Sequence, residues 1–441
     1  MTNFLTPADP AYDTERTGYN LSVDHKPEVI VPAASADDVV AAVRYATSRG
    51  LGAAVQATGH GPSRAADGVV LITTSRMDGI TIDPVARTAR VEAGVRGGAL
   101  VRAAAEHGLA PLNGSSPEVG VVSYHLGGGI GMLGRSLGWA VDHVRALEVV
   151  TADGVLRRAS ATEETDLFWA LRGAGRGTLG VVVAIEIDLH PVTRLYGGGM
   201  HFAAPDAQRA LTTWADWTRT APEAMGSSVL LIRMPDLPVL PEPLRGRYVV
   251  HVRFAFTGSA EDGAWLVQPF RDLGPVTDTV AEMPYTAVGS IHAEPTDPVP
   301  FHARNTVLGS FDAAAVAELL HHAGPDADAP YLVELRLMGG ALARPGAVPS
   351  ALSRRDGAFV LYAGAAAEAE RVPELHAAYD RLFTAMAPWG TGGVCVNFLS
   401  GPDVTAAQLA DGYLPADVAR LAAVKRAIDP DDVFRIHHGR A

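Results

Sequence analysis

The sequence predicts an α+β fold in two domains, the second of which is built on an antiparallel sheet. The chain has 441 residues, and a single hydrophobic core stops growing beyond roughly 250–300 residues, so a division is expected. The character of the sequence also changes near residue 193. Beyond that point longer strands and helices alternate without a glycine-rich phosphate loop, a pattern that favours an antiparallel sheet with helices on one face.

Residues 1–192 are predicted to form the first part of one domain, and residues 193–388 an inserted domain. The remaining segment, 389–441, is short for a domain. We therefore expect it to return and complete the first domain.

The first domain is predicted to begin with a β–α unit. A strand at 28–32 ends at a proline, and Ser35 with Asp38 then forms a capping box at the start of a helix. The next strand, 53–55, runs directly into the loop Gln56–Gly61, and the end of a strand is a usual location for ligand contacts.

Further elements of this domain follow from alternation and turn residues. The predicted strands are Val69–Ile72, Gly79–Ile82, Thr88–Glu92, Ala146–Thr151, Val155–Arg158 and Val181–Leu189, and the predicted helices are Gly97–His107 and Leu167–Arg172, the latter capped by Asp166.

The inserted domain shows stronger periodicity. Its predicted helices are Ala207–Arg219, Ala260–Leu273 and Asp312–Ala323, and its predicted strands are Ser227–Arg233, Arg247–Thr257 and Tyr331–Met338. Prolines are dense at 235–243 and 284–300. They predict long loops, which often border a pocket.

The segment Asn113–Gly134 is the most unusual stretch of the chain. Seven of its 22 residues are glycine, so it is predicted to form neither a good helix nor a continuous strand. Its backbone N–H groups can instead form a concave nest for an anionic ligand, and a cofactor is the expected occupant.

A nucleotide-binding fold of the Rossmann type is the alternative for this stretch, because Gly129–Gly134 has the pattern G-x-G-x-x-G. That motif needs a helix at its last glycine and an acidic residue about twenty positions later at a strand end. Gly138 interrupts any such helix, and Asp153 lies in a turn. The Rossmann interpretation is therefore disfavoured.

Composition excludes several classes of function. A formal charge of −13 argues against nucleic acid as the main partner, and no apolar run is long enough for a membrane span. The first residues lack a signal-peptide pattern, so a soluble, cytoplasmic protein is expected. Only one cysteine is present, and the 15 histidines show no metal-ligand spacing, so no metal site is predicted. The oligomeric state is not predicted.

Blocks of sequence along the whole chain occur in a characteristic order. They are Thr58-Gly59-His60, Ile80 with Asp83-Pro84, Thr88 with Arg90–Gly94, Gly114–Gly120, Leu126–Gly129, Val150–Gly154, Asp166–Gly173, Gly180–Val182, Val396–Phe398, Leu421–Lys425, Asp429-Pro430 and Val433-Phe434. In this order they resemble the berberine bridge enzyme-like flavoproteins. The resemblance implies a split FAD-binding domain of the vanillyl-alcohol oxidase/PCMH type, with an inserted α+β substrate domain that covers the flavin.

The resemblance also implies how the cofactor is held. His60 matches the histidine that is bonded through a ring nitrogen to the flavin 8α carbon, and neutral imidazole is nucleophilic near pH 7. Ser116 stands where many members have a second, cysteine attachment, so FAD is expected to be bonded through His60 only. Val119 matches the position that admits O2. Tyr124 stands where some members place a histidine that helps to hold the cofactor.

The residues expected to bind FAD belong to four glycine-containing blocks and one asparagine. They are Thr58, Gly59, His60, Gly61, Ser116, Val119, Gly120, Tyr124, Gly127, Gly128, Gly129, Gly180, Val182 and Asn397.

The catalytic base departs from the family pattern, because Cys395 and Phe398 replace the tyrosines that usually flank Asn397. Glu334 and Arg336 are the main candidates from the inserted domain, since alternate residues of a strand share a face. Tyr362 and Tyr248 are weaker candidates. A plain ion pair between Glu334 and Arg336 is the competing interpretation.

The sequence thus predicts an FAD-dependent oxidase that acts on a small organic molecule, a bulky secondary metabolite rather than a simple sugar, with O2 as electron acceptor. Three alternatives remain open: a flavin-containing cyclase or isomerase without net redox change, a dehydrogenase with another acceptor, and a binding protein that has lost catalysis.

Overall fold

The computed structural model describes residues 2–62 and 64–436 of the chain. Its strands form three sheets. A parallel sheet in the order β1-β3-β2 consists of β1 (Val29–Pro32), β2 (Ala53–Gln56) and β3 (Val70–Thr73). An antiparallel sheet in the order β4-β5-β8-β6-β7 consists of β4 (Ile80–Asp83), β5 (Thr88–Glu92), β6 (Val144–Val150), β7 (Leu156–Ser160) and β8 (Val181–Asp188).

The third sheet is antiparallel and has eight strands, all between Arg194 and Ala366. They are β9 (Arg194–Ala203), β10 (Met225–Arg233), β11 (Tyr248–Phe256), β12 (Thr277–Asp278), β13 (Ala281–Pro284), β14 (Phe301–Leu308), β15 (Leu332–Leu337) and β16 (Phe359–Ala366). The order is β12-β9-β11-β10-β15-β16-β14, and β13 also pairs with β9.

The helices connect and cover these sheets. They are α1 (Tyr12–Arg16), α2 (Ala36–Ser48), α3 (Gly97–Ala105), α4 (Val121–Leu126), α5 (Gly134–Leu137), α6 (Thr165–Ala174), α7 (Ala207–Trp217), α8 (Ala260–Arg271), α9 (Ala313–Ala323), α10 (Val372–Met386), α11 (Ala406–Ala410) and α12 (Pro415–Ile428). Among residues 2–62 and 64–436, no helix is long and apolar enough to cross a bilayer.

One face of the third sheet is covered by α7, α8, α9 and α10, as the alternation predicts. Val333, Leu335 and Leu337 of β15 point into a core that includes Trp214 of α7 and Tyr379 of α10. Successive side chains of a strand point to opposite faces. Glu334 and Arg336, which alternate with these three residues, therefore face away from the helices.

The opposite face of the third sheet carries polar side chains in one transverse row. Register pairs join His201 to His251, His251 to Leu230, Leu230 to Glu334, and Glu334 to Tyr362. Residues far apart in sequence are thereby placed side by side across five strands.

The C-terminal segment contacts the first sheet. Val433 O accepts a hydrogen bond from Ala53 N at 2.8 Å, and Phe434 is fully buried in the core that also contains α2 and β3. β2, which begins at Ala53, leads directly into the loop with His60. The end of the chain therefore supports the base of that loop.

Three local expectations are corrected. The glycine-rich stretch contains a helix, α4, because Val121, Val122 and Leu126 pack into the core beneath it. Asp166 is not a cap: α6 begins earlier, with Glu164 in the N-cap position and no side-chain cap hydrogen bond.

The capping box at α2 is half formed. Ser35 Oγ accepts from Asp38 N at 3.2 Å, and the Asp38 carboxylate accepts from Ala34 N at 3.1 Å and from Ser35 Oγ at 3.0 Å. The element directly before Gly129 is the helix α4 and not a strand, so the structure rejects the Rossmann interpretation.

Candidate active site

A cavity of about 1250 Å³ lies between the polar face of the third sheet and the loops of the first two sheets. Pockets for drug-sized ligands typically measure roughly 300–1000 Å³. This cavity therefore has room for a dinucleotide cofactor together with a small substrate.

His60 is held in the cavity wall by two contacts. Its Nδ1 lies 2.8 Å from Thr58 Oγ1, and its ring stacks on Tyr19 with a centroid distance of 3.9 Å. Tyr19 N donates to Thr58 O at 3.0 Å, so the N-terminal segment lies along the loop. Burial and the neighbouring Arg96 lower the pKa of His60 to about 4, so its imidazole is neutral at pH 7.

Four buried polar atoms of cavity-lining residues have no hydrogen-bond partner within the described part of the chain. They are Gln56 Oε1, His60 Nε2, Thr74 Oγ1 and the hydroxyl of Tyr124. Buried polar groups are nearly always satisfied, so these atoms fit a ligand that offers polar partners. An isoalloxazine ring with its ring nitrogens and carbonyls is such a ligand.

Glycines make room around these side chains. Gly129 has φ +79°, and a Cβ there would lie 2.7 Å from the Tyr124 ring. A Cβ at Gly127 would overlap the amide oxygen of Asn397, whose Nδ2 donates to Tyr124 O at 2.8 Å. The glycines therefore let Tyr124 and Asn397 approach the same part of the cavity.

Most residues that the sequence assigns to cofactor binding line this cavity. They are Thr58, Gly59, His60, Gly61, Ser116, Val119, Tyr124, Gly127, Gly129, Gly180, Val182 and Asn397. Gly120 and Gly128 do not: Gly120 is the N-cap of α4, and Gly128, with φ +110°, packs under Trp139.

Arg176 is a cavity residue to which the sequence assigned no role. Its guanidinium donates to Gly61 O at 2.7 Å and to Val396 O at 3.1 Å, and it occupies the space that a side chain at Gly61 would need. Burial lowers the pKa of Arg176 to about 10, so it stays cationic at neutral pH. It joins three separate chain segments at the cavity wall.

Glu334 and Arg336 lie on the same face of β15, line the cavity and form an ion pair. Arg336 Nε is 2.9 Å from Glu334 Oε2, and Arg253 Nη1 is 3.0 Å from Glu334 Oε1. All three side chains are less than a tenth exposed. Burial alone would raise the pKa of Glu334, but Arg336 and Arg253 hold it below its usual range, so Glu334 is ionised at neutral pH.

Arg253 and two histidines beside it were missed by sequence reasoning. Arg253 Nε donates to His251 Nδ1 at 3.2 Å, and Arg253 Nη1 lies 3.2 Å from His292 Nδ1. Burial, with the nearby arginine, holds the pKa of both histidines well below its usual range. A signal was present, because His251 and Arg253 alternate with Val250, Val252 and Phe254 in a predicted strand.

The other candidate bases are protonated or lie elsewhere. Tyr362 lines the cavity, but burial raises its pKa well above the usual value. Burial raises the pKa of Cys395 to about 12. The Tyr248 hydroxyl donates to Ala323 O at 2.8 Å on the helical side of the sheet, so Tyr248 is excluded as a base.

Arg336 also contacts the glycine-rich side of the cavity. Its Nη2 donates to Ser115 Oγ at 3.1 Å, and its guanidinium lies 4.9 Å from the ring centroid of Phe398. Glu334 therefore reaches the loops of the first domain through Arg336.

Comparison with known proteins identifies the family. A family model described as an FAD binding domain matches residues 27–160. The (R)-6-hydroxynicotine oxidase of Paenarthrobacter nicotinovorans is 30% identical over 98% of this chain and 94% of that enzyme. The chain belongs to the family of FAD-linked oxidoreductases. Its cofactor is FAD.

Solved structures superpose on this FAD-linked oxidoreductase over nearly its whole length. The crystal structure of 6-hydroxy-D-nicotine oxidase from Arthrobacter nicotinovorans has a TM-score of 0.86 and 28% identity, covering 100% of this chain and 97% of that one. BBE-like 1 from Physcomitrella patens has a TM-score of 0.84 and 20% identity, covering 98% and 95%. The predicted α+β fold of the vanillyl-alcohol oxidase/PCMH type is confirmed.

Proposed function

We propose that this enzyme is an oxidase that transfers a hydride from an organic substrate to flavin N5, with O2 taking up the electrons to form H2O2. The observation that carries the proposal is that one cavity is lined both by the His60 loop and by the ionised Glu334. A substrate between them can lose a hydride towards the first and a proton towards the second.

Covalent attachment of FAD through His60 is part of this proposal. His60 is neutral, half-buried and oriented by Thr58 and Tyr19, so its unshared ring nitrogen is available as a nucleophile. Ser116 lies in the same wall and has no thiol. A single attachment point is therefore expected.

Glu334 is proposed as the acceptor of the substrate proton. It is ionised and faces the cavity, whereas Tyr362 and Cys395 hold their protons at pH 7. Arg336 and Arg253 fix its carboxylate in place, and a positioned base typically contributes about 10²- to 10⁴-fold in rate. In this scheme Arg336 positions Glu334, and the phenol of Tyr362 donates a hydrogen bond to the substrate.

The mouth of the cavity favours a bulky, largely apolar substrate. Leu230 and Ile232 of β10 line it, and the proline-rich loop that follows adds Leu237 and Val239, which are 50% and 85% exposed. Exposed apolar side chains beside a cavity are typical of ligand-binding surfaces. A secondary metabolite with an apolar body fits this mouth better than a simple sugar.

O2 is proposed as the acceptor because Val119 lines the cavity and is only partly buried. A valine side chain is short, so this position leaves a path for a small diatomic molecule.

The test is an anaerobic screen of aromatic and alicyclic alcohols and amines with the purified yellow enzyme. A substrate is expected to bleach the flavin absorbance, and air is expected to restore it with one H2O2 per turnover. Recovery only with an artificial acceptor would replace the oxidase by a dehydrogenase. Turnover without bleaching would replace it by a cyclase or isomerase.

The covalent bond is tested separately by mass spectrometry of the denatured protein. The wild-type chain is expected to carry the mass of FAD, and His60→Ala is expected to lose it. The matched control is His190→Ala, which removes a half-buried histidine outside the cavity lining. An unmodified wild-type chain that still binds FAD would contradict the attachment and leave the oxidase proposal standing.

A further inference from the structure

Three side chains with metal-binding atoms meet beside the cavity, although they are far apart in sequence. His302 lies on β14, His376 on α10 and Asp403 in the loop between Ser400 and α11. Their donor atoms all lie within 4.8 Å of one another. His376 Nε2 is 3.2 Å from Asp403 Oδ2, and His302 Nδ1 is 3.7 Å from the same oxygen.

His302 supplies an independent indication that a ligand is missing from this cluster. The residue is only 5% exposed, and its Nδ1 is a buried atom without a hydrogen-bond partner within the described part of the chain. Such atoms are rare in folded proteins and call for an explanation.

The geometry fits a tetrahedral ion. Zinc binds nitrogen and oxygen ligands at roughly 2.0–2.2 Å, so ligand atoms around it lie about 3.3–3.5 Å apart. The observed separations of 3.2 and 3.7 Å bracket this value. Two imidazoles and one carboxylate are also a donor set that suits zinc.

We propose that His302, His376 and Asp403 form a binding site for a divalent zinc ion. Asp403 is 44% exposed at its side chain, which gives the ion a path from solvent and leaves a fourth position for water. Absence of a short ligand spacing explains why the sequence predicted no metal. The three ligands come from β14, α10 and the segment before α11. They meet only in the folded chain, so no local sequence motif indicates them.

Zinc bound to these three residues would stabilise the segments that form this part of the cavity wall. Ser400 forms an isolated bridge with Ala303, next to His302, and Gly401 N donates to Pro62 O at 3.0 Å, in the loop that carries His60. Phe301 and Ser400 themselves line the cavity. The expected role is structural: the ion joins the third sheet, α10 and the C-terminal segment.

The test titrates the chelator-treated, flavin-loaded enzyme with Zn²⁺ alone in a calorimeter. One ion per chain is expected to bind with micromolar or tighter affinity and to raise the unfolding temperature by a few degrees at saturation. Co²⁺ in the same site is expected to give the visible absorption of a tetrahedral complex. His376→Gln and Asp403→Asn, which alter partly exposed ligands, are expected to weaken binding about a hundredfold or more.

The matched control is His322→Gln. His322 Nε2 lies 3.3 Å from Glu318 Oε1 on α9, a pair that offers two ligands rather than three, so this variant is expected to bind Zn²⁺ like the wild type. Unchanged binding in His376→Gln and Asp403→Asn, or no binding at micromolar Zn²⁺ in the wild type, would overturn the proposal. Flavin absorbance reports whether each variant is folded. None of these readouts requires a substrate.

Discussion

Glu334 is the residue on which the chemistry of the cavity depends most. It lies between two arginines in a site from which water is largely excluded, and each partner lies within about 3 Å. Removing one member of a buried ion pair typically costs about 3–5 kcal/mol, because the remaining charge is left without compensation. The observed geometry is therefore compatible with both interpretations of Glu334, as a member of an ion pair and as a catalytic base.

We expect Glu334→Gln to lower the rate of flavin reduction by substrate at least a hundredfold, because glutamine keeps the shape of glutamate but cannot accept the proton. The measurement is stopped-flow bleaching under anaerobic conditions, with flavin absorbance to confirm cofactor content. Glu282→Gln serves as the control, since its ion pair with Arg194 is exposed. A variant with full flavin content and an unchanged reduction rate would remove Glu334 from the mechanism.

At the scale of elements, α4 shows how glycine sets the distance between helix and cofactor wall. Gly120 precedes this helix and Gly127 follows it. A Cβ at Gly127 would overlap Asn397, whereas a Cβ at Gly120 would meet its nearest atom at 3.4 Å, an ordinary contact. Both residues have negative φ, so the two positions differ in space and not in backbone strain.

This difference gives a paired prediction. Gly127→Ala is expected to displace Asn397, to destabilise the protein by about 1–3 kcal/mol as overpacking does, and to reduce the fraction of chains that carry FAD. Gly120→Ala is expected to change the free energy of unfolding by less than about 1 kcal/mol. Urea unfolding and the ratio of flavin to protein absorbance measure both effects. Equal behaviour of the two variants would contradict the steric argument.

The accuracy of sequence reasoning also varies by element. The helix predicted at 207–219 is observed as α7, and the strand predicted at 181–189 as β8, because a long periodic pattern outweighs local detail. α4 was missed because its six residues, which lie between Gly120 and Gly127, are too few to show a helical period. The polar row on the third sheet needed the pairing of β11 with β9 and β10, a long-range property that periodicity does not encode.

At the scale of the whole molecule, the site depends on contacts between distant parts of the chain. Arg336 of the third sheet donates to Ser115 in the glycine-rich stretch, and Arg176 links the His60 loop to Val396. The family resemblance implied only that an inserted domain covers the flavin. The particular partners of these arginines depend on side-chain packing, which the sequence alone does not specify.

Buried histidines make the stability of the whole molecule depend on pH. Burial lowers the pKa to about 4 in His60, His125, His190 and His201, against about 6.5 in an unfolded chain. Between these values the unfolded state binds more protons, so the stability that these residues contribute is present above pH 6.5 and is lost as pH falls towards 4. His143 acts in the opposite direction, because Asp188 and a backbone carbonyl outweigh burial and raise its pKa.

The urea midpoint of the chain without bound flavin is therefore expected to be nearly constant from pH 8 to pH 7 and to fall steadily from pH 6.5 to pH 4.5. Each histidine that titrates only on unfolding contributes up to about 1.4 kcal/mol per pH unit to this slope. Carboxylates with lowered pKa act in the same direction but at lower pH, so the upper part of the window isolates the histidines. A midpoint that holds or rises between pH 6.5 and pH 5 would show that these imidazoles are protonated in the folded protein, and a neutral His60 could then no longer be assumed at the flavin.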